Sequence, residues 1–205
     1  LYINSSITTM KQIFILFISG LLLLSCEEKN MKNLPFKSES GFFNALIEIP
    51  AGTNKKYEYN TEDLSFEVDQ RDGKDRIIPY LPYFANYGYI PSTLSDSTKG
   101  GDGDPVDIFV ISEALSQGTL IPIIPIATVK LIDDNEEDYK IIAVPADETL
   151  NVLHVKTFEE LKSKHPSIIT IIETWLANYD TDPLKINGWL DQKETEDYII
   201  KNSQN

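Results

Sequence analysis

The sequence predicts an α+β domain that is mainly β, a closed or nearly closed antiparallel sheet with helices gathered toward the C-terminus. Short apolar or alternating runs follow one another between positions 42 and 145. Their length and β-branched content suit strands. Turn residues recur between them at regular intervals, which favours a sheet that closes on itself. Helical spacing of apolar residues sets in only after position 157. The 205 residues, 41% hydrophobic and 24% charged, are enough for one domain with a real core, and no internal repeat or second boundary divides them.

In chain order, residues 1–25 are set apart from the fold. After Met10 comes "KQIFILFISGLLLLS", a charged start and an apolar run too short to span a bilayer comfortably, as in a signal peptide. The run ends in "LLSC", which resembles the lipobox of bacterial lipoproteins, so Cys26 is the expected lipidation site and residues before Met10 read as upstream translation. The expected place is a membrane outside the cytoplasm, on the periplasmic side or the outer membrane. Cys26 is the sole cysteine, which excludes an intramolecular disulfide. Residues 26–39 are polar and aperiodic and read as a flexible tether. Residues 40–205 form the folded body.

Within the body, "FFNALIEIP", "KYEYN", "LSFEVD", "VDIFVIS", "LIPIIPIATVKLI" and "YKIIAVP" are the expected strands. Pro122 and Pro125 point to edge or barrel-rim positions. Thr157 with Glu160 makes a capping-box pattern ahead of "FEELKSK", and Pro166 stands where a helix tolerates proline. Ile168, Ile171, Ile172, Trp175, Leu176 and Tyr179 then recur at helical spacing, an apolar face to lay on the sheet. His154 and His165 stand at element ends, with structural or exposed roles expected.

A formal net charge of −14 argues against nucleic-acid binding by phosphate neutralisation. Phosphate groups remain accessible to such a protein through metal ions or a few placed cations. The stretch "GGDGDPVD" crowds Asp102, Asp104 and Asp107 together. On extended backbone Asp102 and Asp104 share a side, and Pro105 turns the chain so that Asp107 can converge on them. Such carboxylates repel unless a cation joins them, and Mg²⁺ takes oxygen ligands of this kind while keeping several waters. A calcium loop of the EF-hand type is a poor match, because counting from Asp102 puts Val106 and Asp107 where a ligand and the turn glycine belong. A solvated acidic turn is the plain alternative. The second acidic group weighs against it: Asp133 and Asp138 stand between two strand-like runs, and Lys140 shares a strand face with Asp138.

Taken together, "IEIP", "KYEY", "NYGYIPSTL", "DGDPVD", the acidic loop ending in Asp-x-Lys, and "AVP" resemble the family I soluble inorganic pyrophosphatases from about Phe42 to about Trp189. The resemblance implies a small OB-like closed antiparallel β-barrel flanked by C-terminal helices. It implies hydrolysis of pyrophosphate to two orthophosphates by in-line attack of metal-activated water, with Mg²⁺ as cofactor. Asp102, Asp107 and Asp138 would hold the tightly bound metals, Asp133 those that arrive with substrate, and Glu48 and Glu58 would complete the acidic rim. Asp104 matches the proposed general base. Lys56, Lys140 and Arg76 match phosphate contacts, with Arg71 the other candidate arginine, while Tyr83, Tyr87 and Tyr179 match cavity tyrosines. Where the family pattern has lysine after the late tyrosine, this chain has Asp180, with Lys185 a possible substitute. Homo-oligomers are common in the family. Two other readings stay open: a metal-dependent phosphoesterase acting on organic diphosphates, and a non-catalytic lipoprotein that binds metal or phosphate.

Overall fold

The computed structural model describes residues 31, 33–133, 136–180 and 184–204. The signal-peptide reading and Cys26 lie outside the described residues. Among the described residues the body is mainly β sheet with three α-helices. Strand β1 (Phe43–Ile49) pairs with β6 (Asn86–Tyr89), β6 with β7 (Asp107–Val110), β7 with β10 (Lys140–Pro145), β10 with β8 (Leu120–Asp133), and β8 with β1. Strand β11 (Lys185–Leu190) and the short β9 (Glu136–Glu137) add to β8. Two small ladders lie apart from this sheet: β2 (Tyr57–Asn60) with β3 (Ser65–Val68), and β4 (Gln70–Arg71) with β5 (Lys74–Asp75).

The expectation of a wholly antiparallel sheet needs correction. Strands β7 and β10 run parallel. Parallel neighbours need a crossover, and the 14-residue β8 lies between them in the chain. The prolines also divide. Pro125 is buried opposite Ala143 at a register shift, a bulge that tolerates its missing N–H, whereas Pro122 sits inside the β1–β8 ladder facing Asn44 and not at an edge.

Both faces of the central strands are covered, which explains why they read as nearly continuous apolar runs. All seven residues of β1 are buried. On β7 and β10, Ile108, Val110, Ile141 and Ala143 enter one cluster, and the alternate residues Phe109, Ile142 and Val144 enter another. Each fully buried Ile, Leu or Phe contributes about 1.5–3 kcal/mol. The second cluster takes Leu161 from α1 (Phe158–Lys164) and Ile172, Trp175 and Leu176 from α2 (Pro166–Leu176). Asp107 and Lys140 share strand parity with Phe109 and Ile142, so the sheet's period of two sends them to this helix-covered face.

Helix α1 starts at Thr157, whose hydroxyl accepts from the Glu160 N–H, and Pro166 is the first residue of α2. Ile171, expected on the packed face, is 54% exposed. The buried stripe runs one row away, through Ile172, Trp175 and Leu176. Beyond Tyr179, where periodicity names no element, the chain forms β11 and α3 (Gln192–Lys201), the latter with a reciprocal Asp191–Glu194 capping box. Within the segment read as tether, Met31 is buried and donates its N–H to the Tyr59 hydroxyl at 3.0 Å, and Asn44 Nδ2 donates to the Pro35 carbonyl at 2.9 Å.

Candidate active site

The acidic loop is shaped by its glycines. Gly103 adopts φ +89°, a conformation that side chains disfavour. At Gly101 a Cβ would lie 2.6 Å from the Ser95 carbonyl carbon, so only glycine lets the strand-like segments meet. Ser95 N–H donates to the Asp104 carbonyl and Gly103 N–H to the Ser95 carbonyl, each at 2.7 Å, closing the loop. Asp102 then accepts the Asp104 N–H at 3.0 Å. A second contact, Glu137 N–H to the Gly100 carbonyl at 2.7 Å, brings the 136–138 segment alongside.

That contact and the parallel β7–β10 register assemble the cluster. One carboxylate oxygen each from Asp102, Asp107 and Asp138 lies within 4.8 Å of the others. Ile108 is level with Ile141, so the preceding Asp107 and Lys140 are neighbours across the ladder. The Lys140 ammonium sits between Asp107 and Asp138 and bonds both. Burial works against its charge, but Asp107 and Asp138 hold its pKa well above the usual lysine value. Burial, with Asp138 and Asp107 close by, pushes the Asp102 carboxyl up to about 6 against the opposing Asp104 N–H. Asp104 is raised by burial, Asp107 and Glu58. These oxygens form a donor set suited to hard divalent cations, and the lysine already shows that positive charge settles among them.

The cluster opens on a cavity of about 220 Å³. Of the residues singled out from the sequence, Asp102, Asp104, Asp107, Asp133, Asp138, Lys56, Arg76, Lys140, Tyr83, Tyr87 and Tyr179 all line it. Glu48 and Glu58 line an adjoining recess, which shares Lys56, Tyr87, Asp104 and Asp107 with the cavity. Glu48 is buried and accepts the Tyr59 N–H at 2.8 Å, and burial pushes its pKa up to about 8. Glu58 pairs with Lys56. Burial raises Tyr83, Tyr87 and Tyr179 above the usual phenol value, so they are neutral hydrogen-bond donors. Tyr179 is fixed by stacking on Trp175, centroids 4.7 Å apart and planes 8° from parallel.

An inorganic pyrophosphatase family model matches residues 45–205. The chain belongs to the inorganic pyrophosphatase family. The inorganic pyrophosphatase of Sulfolobus acidocaldarius is 34% identical over 172 residues, covering 82% of this chain and 94% of that protein. Soluble inorganic pyrophosphatase 6 of the Arabidopsis thaliana chloroplast is 31% identical over 82% of this chain, which spans only 60% of that longer protein. Among solved structures, the inorganic pyrophosphatase of Neisseria gonorrhoeae superposes with a TM-score of 0.68 at 29% identity, covering 84% of this chain and 95% of that one. The type I enzyme of P. falciparum gives 0.76 at 26% identity, with 85% of this chain and 61% of that chain covered.

Several residues of this pyrophosphatase site escape sequence reasoning. Trp175 belongs to the helical apolar stripe and also forms cavity wall, as do Phe109 and Leu176. Glu136 joins the acidic side of the cavity. Asp69 lies 3.4 Å from the Lys56 ammonium and 3.2 Å from the Arg76 guanidinium, joining two cavity cations. Its only sequence signal is a place at the end of "LSFEVD", and the fold alone brings it between them. Arg71 does not line the cavity; it makes a bidentate pair with Asp180, at 2.9 and 3.1 Å.

Proposed function

We infer that the chain is an inorganic diphosphatase that hydrolyses pyrophosphate to two orthophosphates. The observation that carries this is one small cavity in which Asp102, Asp107 and Asp138 face Lys56, Arg76 and Lys140, with three neutral tyrosines between. A polyanion needs that combination: cations and donors for its oxygens, and carboxylates to place metal charge against it. Asp102, Asp107 and Asp138 would hold Mg²⁺, with Asp133 contributing when substrate is bound and Glu48 and Glu58 completing the acidic rim. The metal supplies charge neutralisation and a water acidic enough to attack near neutral pH.

The chain's own residues do the rest. Asp104 accepts the proton of the attacking water and orients it. Lys56 and Arg76 bind phosphate oxygens. Lys140 is drawn between metal ligands and substrate, and the tyrosine hydroxyls donate to oxygens that gain charge as the leaving phosphate departs. The ring of pairings in which β8 meets both β10 and β1 supports reading the sheet as an OB-like closed barrel. The "LLSC" stretch supports lipidation at Cys26 and a membrane-anchored protein outside the cytoplasm, and Cys26→Ser should then move it from the membrane to the soluble fraction.

A substrate panel tests the activity. With Mg²⁺ present, pyrophosphate should release phosphate at least about a hundredfold faster than nucleoside diphosphates or other organic diphosphates, given the closed fit around a bare polyanion. Comparable rates on organic diphosphates would favour a broader phosphoesterase, and binding without release a non-catalytic role.

A further inference from the structure

The position after Tyr179 carries an acid that the cavity does not contain. Asp180 is absent from the cavity lining, and its side chain is only 10% exposed. Its carboxylate grips the Arg71 guanidinium with both oxygens and also bonds Arg76 Nη2. Arg76 does line the cavity, and its Nη1 is held from the other side by Asp69 at 3.2 Å. Asp69 in turn touches Lys56. The result is an alternating chain of charges, Lys56, Asp69, Arg76, Asp180 and Arg71, of which Lys56 and Arg76 line the cavity.

Backbone geometry anchors one end of this chain. Lys56 N–H donates to the Arg76 carbonyl at 3.0 Å, Asp69 N–H to the Lys56 carbonyl at 2.8 Å, and Arg76 N–H to the Asp69 carbonyl at 2.7 Å. At the other end Arg71 belongs to the β4–β5 ladder, and Asp180 comes from a different part of the chain. Asp180 reaches Arg76 from the end of the α2 segment, placed by the Trp175–Tyr179 stack. Without it, the Arg76 side chain would keep one carboxylate partner and lose the other, and a long flexible side chain held at one corner samples many rotamers.

We propose that Asp180 is a positioning residue: it holds the Arg76 guanidinium in the orientation that binds a phosphate oxygen, and Arg71 offsets its negative charge. The inference rests on the pyrophosphate reading above. It predicts the opposite sign from simple electrostatics, in which deleting an acid near a polyanion site improves binding.

The test uses the full chain with saturating Mg²⁺ and the variants Asp180→Ala, Asp180→Glu and Arg71→Ala. Losing one charge-assisted hydrogen bond on Arg76 should raise KM for pyrophosphate about tenfold in Asp180→Ala while kcat falls less than about threefold. Asp180→Glu should recover part of that loss, and Arg71→Ala should have a smaller effect than Asp180→Ala. An unchanged or lowered KM in Asp180→Ala overturns the proposal. A second readout is independent of turnover: the Arg76 Nε–Hε signal in ¹⁵N–¹H spectra, assigned by its loss in Arg76→Lys. It should be sharp in the wild type and broadened in Asp180→Ala. A signal that stays sharp in Asp180→Ala refutes positioning whatever the activity, while a wild type that shows the sharp signal but no pyrophosphate hydrolysis refutes the functional reading instead.

Discussion

At the residue scale, the site is a balance between carboxylates that repel one another and the cations set among them. Asp104 has no ion-pair partner among the described residues, and its exposed side chain lines the cavity, which suits a proton acceptor. Asp104→Asn should lower kcat about 10²–10⁴-fold, the usual worth of a positioned base, without lowering the thermal midpoint. Lys140 carries the opposite burden. Its side chain is 7% exposed, and those of Asp107 and Asp138 are 19% and 13% exposed, so Lys140→Met should destabilise the metal-free protein by about 3–5 kcal/mol, the cost of leaving buried charge uncompensated. Mg²⁺ should recover much of that loss in chemical denaturation. Glu48 adds a pH dependence whose sign is fixed by burial. Its folded pKa of about 8 stands above the ordinary 4.5, so its contribution to stability is complete below 4.5 and is lost as pH rises toward 8. Asp102, pushed up to about 6, acts in the same direction. In the metal-free protein the thermal midpoint should fall between about pH 5 and 8, and Glu48→Gln should flatten that slope. Much at this scale was legible in the sequence, because hard divalent cations favour carboxylate oxygens and "DGDPVD" sets Asp102 and Asp107, with Asp104 between them, in one short loop. Asp69 and Trp175 were not legible, since one works only through neighbours remote in sequence and the other looks like any apolar helical residue.

Elements position these groups, and here the sequence is a poorer guide. Short apolar runs bounded by turn residues mark "VDIFVIS" and "YKIIAVP" as strands, but such runs fit either direction of pairing. The parallel register that sets Lys140 beside Asp107 therefore comes from the path of β8. The β4–β5 ladder and β6 fall below the length at which periodicity speaks, although β4 and β5 are joined through Asp72 at φ 54° and Gly73 at φ 71°, a turn that Asp-Gly favours. Helix α3 hides because its buried residues are few, Thr195 and Ile199, on an otherwise charged segment. A pair of substitutions separates the elements that build the site from those that only support it. Gly101→Ala forces a Cβ against the Ser95 backbone and should abolish the rise in thermal midpoint that Mg²⁺ produces, while the far-UV circular dichroism spectrum keeps its native shape. Thr157→Ala removes the α1 cap and should cost about 1 kcal/mol in chemical denaturation with kcat unchanged.

For the whole molecule, the sheet supplies one face to a core and the mouth of the same face to chemistry. Phe109, Ile142 and Val144 pack under the helices, while Asp107 and Lys140, at the starts of their strands, emerge where that packing ends. Burial over this apolar floor raises the Asp102 and Asp104 carboxyls, and low polarity beneath the site strengthens the charge interactions above it. The fold class and its late helices could be read from patterning alone, because burial on both faces leaves continuous apolar runs. The regular turns favour a sheet that closes on itself, but which strand joins the ring could not be read from them: β8 is the one that meets both β10 and β1. The central claim is that this arrangement hydrolyses pyrophosphate with a divalent cation and Asp104 acting together. Phosphate release from pyrophosphate, measured with wild type and Asp104→Asn as Mg²⁺ is raised from zero, tests it most directly. Release should require Mg²⁺ in the wild type and be at least about a hundredfold slower in the variant at every Mg²⁺ concentration. Release that persists in a chelator, or that survives intact in Asp104→Asn, would contradict it.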